Sequence, residues 1–468
     1  MRLWSIIFIV IAFYACNREP EYKTIDGILE VPENRNDPDS RTLKLVYKVL
    51  KAKKADSLKA PIVYLMGGPG GATLIMEDYW KNHPLRNDRD IVLMDQRGTG
   101  KSEANCVDLG DAIFTIMRQD LDIYNDYKAM ATIMAECKET MKKGAVDLAG
   151  YNSRENAADF EDLRKALGYK KWNLFGASYG SRLGLTIMRD FPKGVRSAVL
   201  VGILAPESDI FGHRIRNIEN SLFASLRGCE ENEGCNNRYP NLKERLLQSL
   251  KKLQKNPMRF DYKKKPYAFN LQDAFALLNF LLYDNKTIGN LPFFLEALEN
   301  RKAEPIIDTL QDFESFYNLL NIPMLYSVTA YEELPFYNVT DTNKAIQQSE
   351  IGFAFTSYDL AAKLLASWHP HRATDFENQP VASDIPTLMV SGSLDPATPP
   401  SDANGALKHL KNGYNVVFPD ESHGLFNPCL FQIAEYFINN PLKKPNSECS
   451  ETRNPIEWNL TTLDPEKS

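Results

Sequence analysis

The sequence has no excess of positive charge: its 55 lysines and arginines are outnumbered by 61 aspartates and glutamates, which gives a formal net charge of −6. Proteins that bind nucleic acid neutralise phosphates with a basic face, and no basic run interleaved with aromatic residues occurs in this chain. The short lysine runs, such as Lys263-Lys264-Lys265, are typical of a solvated surface. We therefore expect no nucleic-acid partner.

The sequence also has few metal-ligating residues, with only 6 histidines and 7 cysteines. None of them falls in the C-x-x-C or H-E-x-x-H spacing that holds a metal ion. Hydrophobic residues make up 43% and charged residues 25% of the chain, which are ordinary values for a globular protein. We therefore expect a folded chain that uses no metal and no cofactor.

Long hydrophobic runs are scarce as well. The apolar run over residues 3–14 is about 12 residues long, too short for a comfortable membrane span. Arg2 precedes it and a small residue and Cys16 follow it, an arrangement that resembles a bacterial lipoprotein signal. We predict that residues 1–16 are such a signal and that the chain is exported to the cell envelope, periplasmic or surface, with a lipid on Cys16 as its membrane anchor. An ordinary cleaved signal peptide or an uncleaved anchor is the alternative.

The cysteines beyond Cys16 are even in number, and an even number in an exported chain permits disulfides. We pair the cysteines that are close in sequence, while free buried thiols are the alternative. The expected bridges are Cys106 with Cys137, Cys229 with Cys235, and Cys429 with Cys449.

The strand patterns divide the chain into two kinds of sheet. Thr24 to Val31 and Thr42 to Val49 alternate apolar and polar residues, which predicts an antiparallel pair of half-buried strands. After them, short apolar runs alternate with helical segments, which indicates βαβ units around a mostly parallel sheet covered on both faces. The predicted buried strands are 61–66, 90–94, 172–175, 195–200, 385–390 and 414–418.

The 468 residues exceed the usual size of a single hydrophobic core. Between residues 206 and 378 the strand pattern fades and apolar residues recur at helical spacing. We therefore predict the α/β fold class, with a core in two parts, 17–205 and 379–444. A helical cap is expected over 206–378, and a tail over 445–468.

The segment Gly176-Ala-Ser-Tyr-Gly180 lies between a predicted strand and a predicted helix, the position of a nucleophile elbow. The turn is so tight that larger side chains would clash at the flanking positions, and it lifts the serine hydroxyl clear of the sheet. We predict Ser178 as the nucleophile. A serine that only caps the following helix is the alternative.

An acid and a histidine follow Ser178 in the order that this elbow requires, each in a loop after a predicted strand. Asp395 follows one strand directly, and His423 follows the next. We predict His423 as the general base and Asp395 as the acid that orients it. Asp420 is a rival for the acid, but it is too near His423 in sequence to reach the far ring nitrogen.

Attack by a serine on a carbonyl places negative charge on oxygen, which two backbone N–H donors can stabilise as an oxyanion hole. One donor is expected from Tyr179, the residue after the nucleophile. The other is expected from the glycine-rich loop 67–71, within which we choose Gly68. A plain glycine turn is the alternative for this loop.

The segment Asp95-Gln-Arg-Gly-Thr-Gly-Lys-Ser102 ends like a phosphate-binding P-loop. That motif requires a glycine where Asp95 stands, so the P-loop interpretation is excluded. Asp95 and Arg97 are expected to brace the active-site loops.

Four segments together resemble the prolyl aminopeptidase and tripeptidyl aminopeptidase group of α/β-hydrolases: Gly67 to Gly70, Asp95 to Ser102, Gly176 to Gly180 and Ser391 to Pro399. The resemblance implies an α/β-hydrolase fold whose mostly parallel sheet carries an inserted helical cap. It also implies a serine hydrolase that cleaves peptides or aminoacyl amides near the amino terminus through an acyl-enzyme.

By the same resemblance, an acidic cap residue receives the α-amino group of the substrate. Tyr331 to Phe336 is similar to the cap segment that carries this acid, so the resemblance points to Glu332 or Glu333. A pair of surface carboxylates is the alternative.

The chain departs from the family pattern at three positions, which bear on specificity because they leave Ser178, Asp395 and His423 untouched. Two rival functions stay open: an exported carboxylesterase with the same triad, and a catalytically silent binding protein of the same fold. The oligomeric state carries no prediction. The departures are Met66 in place of histidine, Gly202 in place of aspartate and Ala330 in place of cysteine.

Overall fold

The computed structural model describes most of the chain. The predicted signal and Cys16 lie outside the described residues. Within the described part, no helix is both long enough and apolar enough to cross a membrane. The described residues are 23–102, 106, 109–355, 358–369, 371–452 and 455–463.

The described residues contain ten strands in two sheets. They are β1 Thr24–Pro32, β2 Thr42–Leu50, β3 Ile62–Leu65, β4 Ile91–Met94, β5 Trp172–Ala177, β6 Val195–Val201, β7 Met258–Tyr262, β8 Lys265–Phe269, β9 Thr387–Gly392 and β10 Gly413–Phe418. The large sheet has the order β1-β2-β4-β3-β5-β6-β9-β10, and β7 and β8 form a separate hairpin. β1 pairs antiparallel with β2, and β2 with β4, whereas the other pairs of the large sheet are parallel. The predicted mostly parallel sheet is confirmed.

The described helices alternate with the central strands and also fill the segment between β6 and β9. They are α1 Glu77–Asn82, α2 Leu109–Met117, α3 Ile123–Lys143, α4 Ser153–Ala166, α5 Tyr179–Asp190, α6 Ile210–Glu231, α7 Glu233–Arg238, α8 Leu242–Lys255, α9 Leu271–Leu281, α10 Asn285–Ile288, α11 Leu291–Asn300, α12 Glu304–Tyr317, α13 Ile322–Glu332, α14 Val339–Gln348, α15 Tyr358–Trp368, α16 Pro400–Leu407, α17 Pro428–Asn439 and α18 Glu448–Glu451.

The central strands are largely apolar because helices cover both faces of the sheet. Every residue of β3 and β4 is buried. On one face the strands share a hydrophobic core with α4, α5 and α16, to which Phe160, Leu183 and Ala403 belong. On the other face the core includes Trp80 of α1 and Phe437 of α17. The sheet is therefore the middle layer of three.

The segment between β6 and β9, which we call the cap, contains α6 to α15 and the β7–β8 hairpin. Most of its helices pack around a hydrophobic core of their own. The helical spacing of the sequence did not predict the hairpin. α2 and α3 precede α4 in the chain, but their apolar residues pack with α13 and α15 of the cap. The division at residues 206 and 378 stays a prediction.

Three disulfides link residues that are close in sequence. Cys106 bonds Cys137, Cys229 bonds Cys235, and Cys429 bonds Cys449. The predicted pairing is confirmed. The third disulfide ties α18 to α17 and so holds part of the predicted tail against the core.

Candidate active site

Ser178 lies at the sharp turn between β5 and α5. Its backbone has φ 56° and ψ −125°, a conformation that non-glycine residues rarely adopt and that is typical of strained functional sites. A Cβ atom on Gly176 would lie 2.3 Å from the carbonyl oxygen of Gly180, and one on Gly180 would lie 2.0 Å from that of Leu65. Only glycine fits at both positions, so the turn exists because of these two residues.

Two loops flank Ser178. A Cβ atom on Gly67 would lie 3.0 Å from Cβ and 3.6 Å from Oγ of Ser178. On the other side, the Ser178 N–H donates to the carbonyl oxygen of Val201 at 2.8 Å, which places the serine beside Gly202. A Cβ atom on Gly202 would lie only 3.2 Å from Cε1 of His423. Ser178 therefore lies between the glycine-rich loop and Gly202, which is next to the imidazole of His423.

Asp395 and His423 are joined by a hydrogen bond of 2.8 Å between Oδ2 and Nδ1. Asp395 follows β9 and His423 follows β10, so neighbouring parallel strands deliver both side chains to the same sheet edge. Oδ1 of Asp395 accepts from the N–H groups of Ala397 at 2.7 Å and Thr398 at 2.8 Å. The Thr398 hydroxyl donates to Oδ2 at 2.7 Å. The carboxylate is buried and fully hydrogen-bonded.

These bonds set the charges of the pair. Burial raises the pKa of Asp395, but the charge and hydrogen bonds of His423 and Thr398 outweigh it and bring that pKa below its ordinary value. Burial lowers the pKa of His423, but Asp395 outweighs it and brings that pKa above its ordinary value. Because an ionised carboxylate only accepts, Nδ1 of His423 carries the proton. On the neutral ring, Nε2 is then free to act as a base.

No hydrogen bond joins Oγ of Ser178 to His423 within the described residues. Such contacts are often long before a substrate binds. The structure thus brings Asp395 and His423 into direct contact, and it places both Ser178 and the imidazole close to Gly202.

The two N–H groups predicted to stabilise an oxyanion belong to Gly68 and Tyr179. Tyr179 is the first residue of α5, where an N–H has no partner within the helix. Gly68 has φ +120°, and a Cβ atom there would lie 2.8 Å from the nitrogen of Gly70. Neither N–H donates to an acceptor among the described residues. The side chain of Gln96, which sequence reasoning missed, donates to the carbonyl oxygen of Met66 at 2.9 Å and so holds the start of this loop.

Asp95 and Arg97 contact loops on different sides of the site. Asp95 accepts from the N–H groups of Leu74 at 2.9 Å and Lys101 at 3.0 Å. Arg97 is fully buried and pairs with Asp159 of α4 at 2.7 Å. These contacts hold the segments before and after β4 in place.

Glu332 and Glu333 lie at the end of α13 and are buried rather than exposed. Both pair with Arg182, whose Nε is 2.7 Å from Glu332 and whose Nη1 is 2.6 Å from Glu333. Arg182 lies on α5, four residues after Ser178 and hence about one helical turn away. This spacing on one helix face is the only feature of the sequence that could have drawn attention to Arg182.

Glu332 is also connected to the nucleophile helix through a second route. Its Oε2 accepts from the hydroxyl of Ser153 at 2.9 Å. That hydroxyl is 2.9 Å from the phenolic oxygen of Tyr179. The end of α13 is thereby connected to two residues of α5, directly to Arg182 and through Ser153 to Tyr179.

The acidic groups around Arg182 outnumber it. Burial raises the pKa of Glu333 to about 7 against the attraction of Arg182, and the negative charges of Glu332 and Asp209 add to the rise. When these three carboxyls are ionised, one guanidinium offsets only one of the negative charges. The cluster therefore favours a cation nearby.

Asp395 is also close to a second carboxyl group, that of Asp402. Burial, together with the charges of Asp395 and Glu207, raises the pKa of Asp402 to about 7. Asp402 is in the first turn of α16. Like-charge repulsion of this kind is relieved when one carboxyl holds a proton.

The cap is hydrogen-bonded to the loop that carries His423. The carbonyl oxygen of Tyr283 accepts from the N–H of Gly424 at 2.7 Å. The side chain of Asn285 accepts from the N–H of Ser422 at 2.9 Å and donates to the carbonyl oxygen of Asp420 at 2.7 Å. The turn between α9 and α10 thus fixes the loop on both sides of the histidine.

The cap also contacts the glycine-rich loop and the acid loop. The N–H of Asn321 donates to the carbonyl oxygen of Gly70 at 2.8 Å, and Leu320 pairs with Gly71 in an isolated antiparallel bridge. The hydroxyl of Ser221, on α6, donates to the carbonyl oxygen of Leu394. Three loops of the candidate site therefore depend on cap residues for their position.

No group of three or more His, Cys, Asp or Glu side chains in the described part of the chain is arranged to hold a metal ion. The hydrogen bond from His423 to Asp395 leaves Nε2 of the neutral imidazole able to accept a proton.

Comparisons with known proteins give one family and several relatives. A family model described as alpha/beta hydrolase fold matches residues 60–427. Serine protease Hip1 of Mycobacterium tuberculosis is 25% identical over 90% of this chain and 86% of its own length. Tripeptidyl aminopeptidase of Streptomyces lividans is 27% identical over 39% of this chain and 36% of its own. The solved structure of proline iminopeptidase from Mycobacterium smegmatis has a TM-score of 0.38 at 15% identity, over 89% of this chain and 99% of that one.

Proposed function

The chain belongs to the α/β-hydrolase family and is a serine hydrolase, and from this premise we propose that it cleaves peptides or aminoacyl amides near their amino terminus. The observation that carries the proposal is the buried hydrogen bond between Asp395 and His423 beside the elbow that presents Ser178. An elbow serine, an imidazole and an ionised carboxylate are the groups that acyl transfer requires.

In the proposed reaction, Nε2 of His423 takes the proton of Ser178 while Oγ attacks the substrate carbonyl. The N–H groups of Tyr179 and Gly68 stabilise the oxyanion that forms, and Asp395 stabilises the imidazolium. The carbon–nitrogen bond then breaks, and His423 gives its proton to the leaving amine. A water molecule, deprotonated by His423, hydrolyses the ester on Ser178 and regenerates the free enzyme.

The acidic cluster supports cleavage near an amino terminus. An α-ammonium group carries a positive charge, and the carboxyls around Arg182 carry an excess of negative charge. Glu332 already accepts two hydrogen bonds from Ser153 in addition to its ion pair, so Glu333 has more capacity left to accept from the ammonium group. We assign Glu333 as the main amine anchor, supported by Glu332. The names of the relatives, which include a tripeptidyl aminopeptidase, support the same substrate class.

Two measurements test the proposal. Peptides with free amino ends should be hydrolysed at least tenfold faster than the same peptides with acetylated ends, because acetylation removes the positive charge. The Glu333→Gln variant should lose this discrimination while still hydrolysing the acetylated peptides. Equal rates on both forms by the native chain would contradict the amino-terminal assignment.

Labelling distinguishes the remaining rivals. A fluorophosphonate probe should label the native chain and fail to label Ser178→Ala. Absence of labelling in the native chain would favour a binding protein of the same fold. Hydrolysis of short acyl esters without any hydrolysis of aminoacyl anilides would favour an exported carboxylesterase.

We also propose that the chain works outside the cytoplasm. The three disulfides support export, because such bonds persist in oxidising compartments. Lipidation of Cys16 and anchoring to the membrane rest on the sequence of residues 1–16 alone. The Cys16→Ser variant, expressed in a bacterial host, should move from the membrane fraction to a soluble fraction, and an unchanged distribution would contradict the anchor.

A further inference from the structure

The cap presents aromatic side chains next to the imidazole of His423. The ring centroid of Tyr283 is 5.1 Å from that of His423, at an interplanar angle of 72°. The ring of Phe316 follows at 6.3 Å from Tyr283. Phe316, on α12, is 41% exposed, although phenylalanine is among the residues most often buried. An exposed aromatic residue therefore lies two rings away from the histidine.

The apolar surface continues toward the glycine-rich loop. Leu319 lies three residues after Phe316 and is 52% exposed. The next residue, Leu320, pairs with Gly71. The stretch from Tyr283 to Leu319 therefore extends from the histidine loop to the loop that flanks Ser178. We call Tyr283, Phe316 and Leu319 the rim surface.

Two members of the rim surface, Tyr283 and Phe316, are held in place by contacts with neighbouring residues. The carbonyl oxygen of Tyr283 bonds Gly424, and the ring of Phe316 lies 5.7 Å from that of Phe280 on α9. Rigid aromatic groups lose little conformational entropy on binding, so they make effective sites for apolar side chains. Contiguous exposed apolar surface rimmed by polar groups is a common feature of ligand-binding grooves.

The direction of the reaction decides which part of the substrate meets this surface. His423 must give its proton to the leaving amine, so the leaving group lies on the imidazole side of Ser178. The α-ammonium end, on the acyl side, extends instead toward Glu333. We propose that the rim surface binds the apolar or aromatic side chain of the residue directly after the scissile bond, an inference that rests on the proposed peptide hydrolysis.

The test uses two series of peptides in which only the residue after the scissile bond changes. The acyl part is proline in one series and Ala-Ala-Pro in the other, and the varied residue is leucine, phenylalanine, serine or aspartate. The native chain should prefer leucine and phenylalanine by about tenfold in kcat/KM, the discrimination that one apolar pocket usually gives.

Two exposed cap positions serve as variants, because truncation of an exposed side chain should leave the fold intact. Phe316→Ala and Leu319→Ser should lower kcat/KM about tenfold for leucine and phenylalanine and less than twofold for serine. Phe376→Ala is the matched control, since Phe376 is 59% exposed and contacts Arg189 rather than His423. Phe376→Ala should leave kcat/KM unchanged for every peptide in both series.

Equal losses for apolar and polar leaving residues, or a preference that follows the acyl residue instead, would overturn the proposal. If the native chain hydrolyses no peptide, the proposed function fails, and esters of one acid then test the rim surface by themselves. Benzyl esters should react faster than 2-hydroxyethyl esters, and Phe316→Ala should abolish the difference. Equal rates on the two esters would remove the rim surface from the site.

Discussion

The hydroxyl of Thr398 lies 3.1 Å from Nδ1 of His423. It donates to Oδ2 of Asp395 at 2.7 Å, and this is the oxygen that also accepts from the imidazole. Oδ2 therefore accepts two hydrogen bonds, one from the Thr398 hydroxyl and one from the imidazole of His423. The Thr398 donor helps to keep this carboxylate ionised and limits its attraction for an imidazolium.

Replacement of Thr398 by valine keeps the shape of the side chain and removes the donor. Asp395 should then attract the imidazolium more strongly and raise the pKa of His423, which must be neutral to act as a base. The acidic limb of the kcat/KM profile should move to higher pH by about half a unit. Thr398→Ser should restore the native profile. A lower kcat/KM with an unmoved acidic limb would mean that Thr398 has only a structural role.

Gly202 has φ +61°, and a Cβ atom there would lie 2.9 Å from Oγ1 of Thr398 and 3.2 Å from Cε1 of His423. Gly202→Ala should displace the imidazole and lower kcat/KM by roughly 10- to 100-fold. Gly168→Ala is the control, since Gly168 has φ +72° and open space around it. Both variants should lose a similar free energy of unfolding, about 1 kcal/mol, but only the first should lose activity. Native activity in Gly202→Ala would contradict this account of the histidine's position.

Arg182 is the only cation that the described residues place against Glu332 and Glu333. Arg182→Met leaves two buried carboxyls without their partner, so the free energy of unfolding should fall by about 3–5 kcal/mol. The loss should shrink in acid, where Glu333, whose pKa is about 7, holds a proton. Urea unfolding at neutral and acidic pH measures it. Lys411→Met, at an ion pair in which both side chains are more than 70% exposed, should change stability by less than about 1 kcal/mol.

The acidic pair near Asp395 predicts a pH dependence of stability. The pKa of Asp402 is about 7 in the folded chain because of burial and of the charges of Asp395 and Glu207, whereas an aspartate in an unfolded chain has a pKa of about 4. Between these values the folded chain holds a proton that the unfolded chain has released, so this group's contribution to stability falls as pH rises.

Asp402→Asn cannot ionise, so it should be more stable than the native chain at pH 8 and show a smaller fall in stability from pH 5 to pH 8. Thermal unfolding on a Ser178→Ala background, in buffers of matched ionic strength, measures the difference. Asp384→Asn is the control, because Asp384 is 76% exposed. A parallel decline in native chain and Asp402→Asn would show that Asp402 does not cause the dependence.

Local patterns allowed much of the fold to be predicted. β1 and β2 alternate apolar and polar residues, the central strands are largely apolar runs, and the disulfides join cysteines that are close in sequence. The elbow could also be predicted from the sequence. Gly176 and Gly180 are required by backbone contacts within a few residues of Ser178 and with the neighbouring strand.

Features that depend on contacts between residues distant in sequence could not be predicted from local patterns. The β7–β8 hairpin turns at Lys263 and Lys264, both with positive φ, where turns normally signal themselves with glycine or asparagine. The partnership of Arg182 with Glu332 joins residues that only the folded cap brings together. The hydrogen bond between Thr398 and Asp395 could have been predicted more easily, since a threonine three residues after an aspartate often donates to the aspartate side chain.

The contacts between the cap and the loops of the site restrict how a substrate can enter. Asn321 holds the glycine-rich loop and Asn285 holds the histidine loop, so the cap cannot swing away as one body without drawing both loops from Ser178. A substrate therefore has to reach Ser178 while the cap stays in contact with both loops, which favours small or extended molecules over a bulky folded surface.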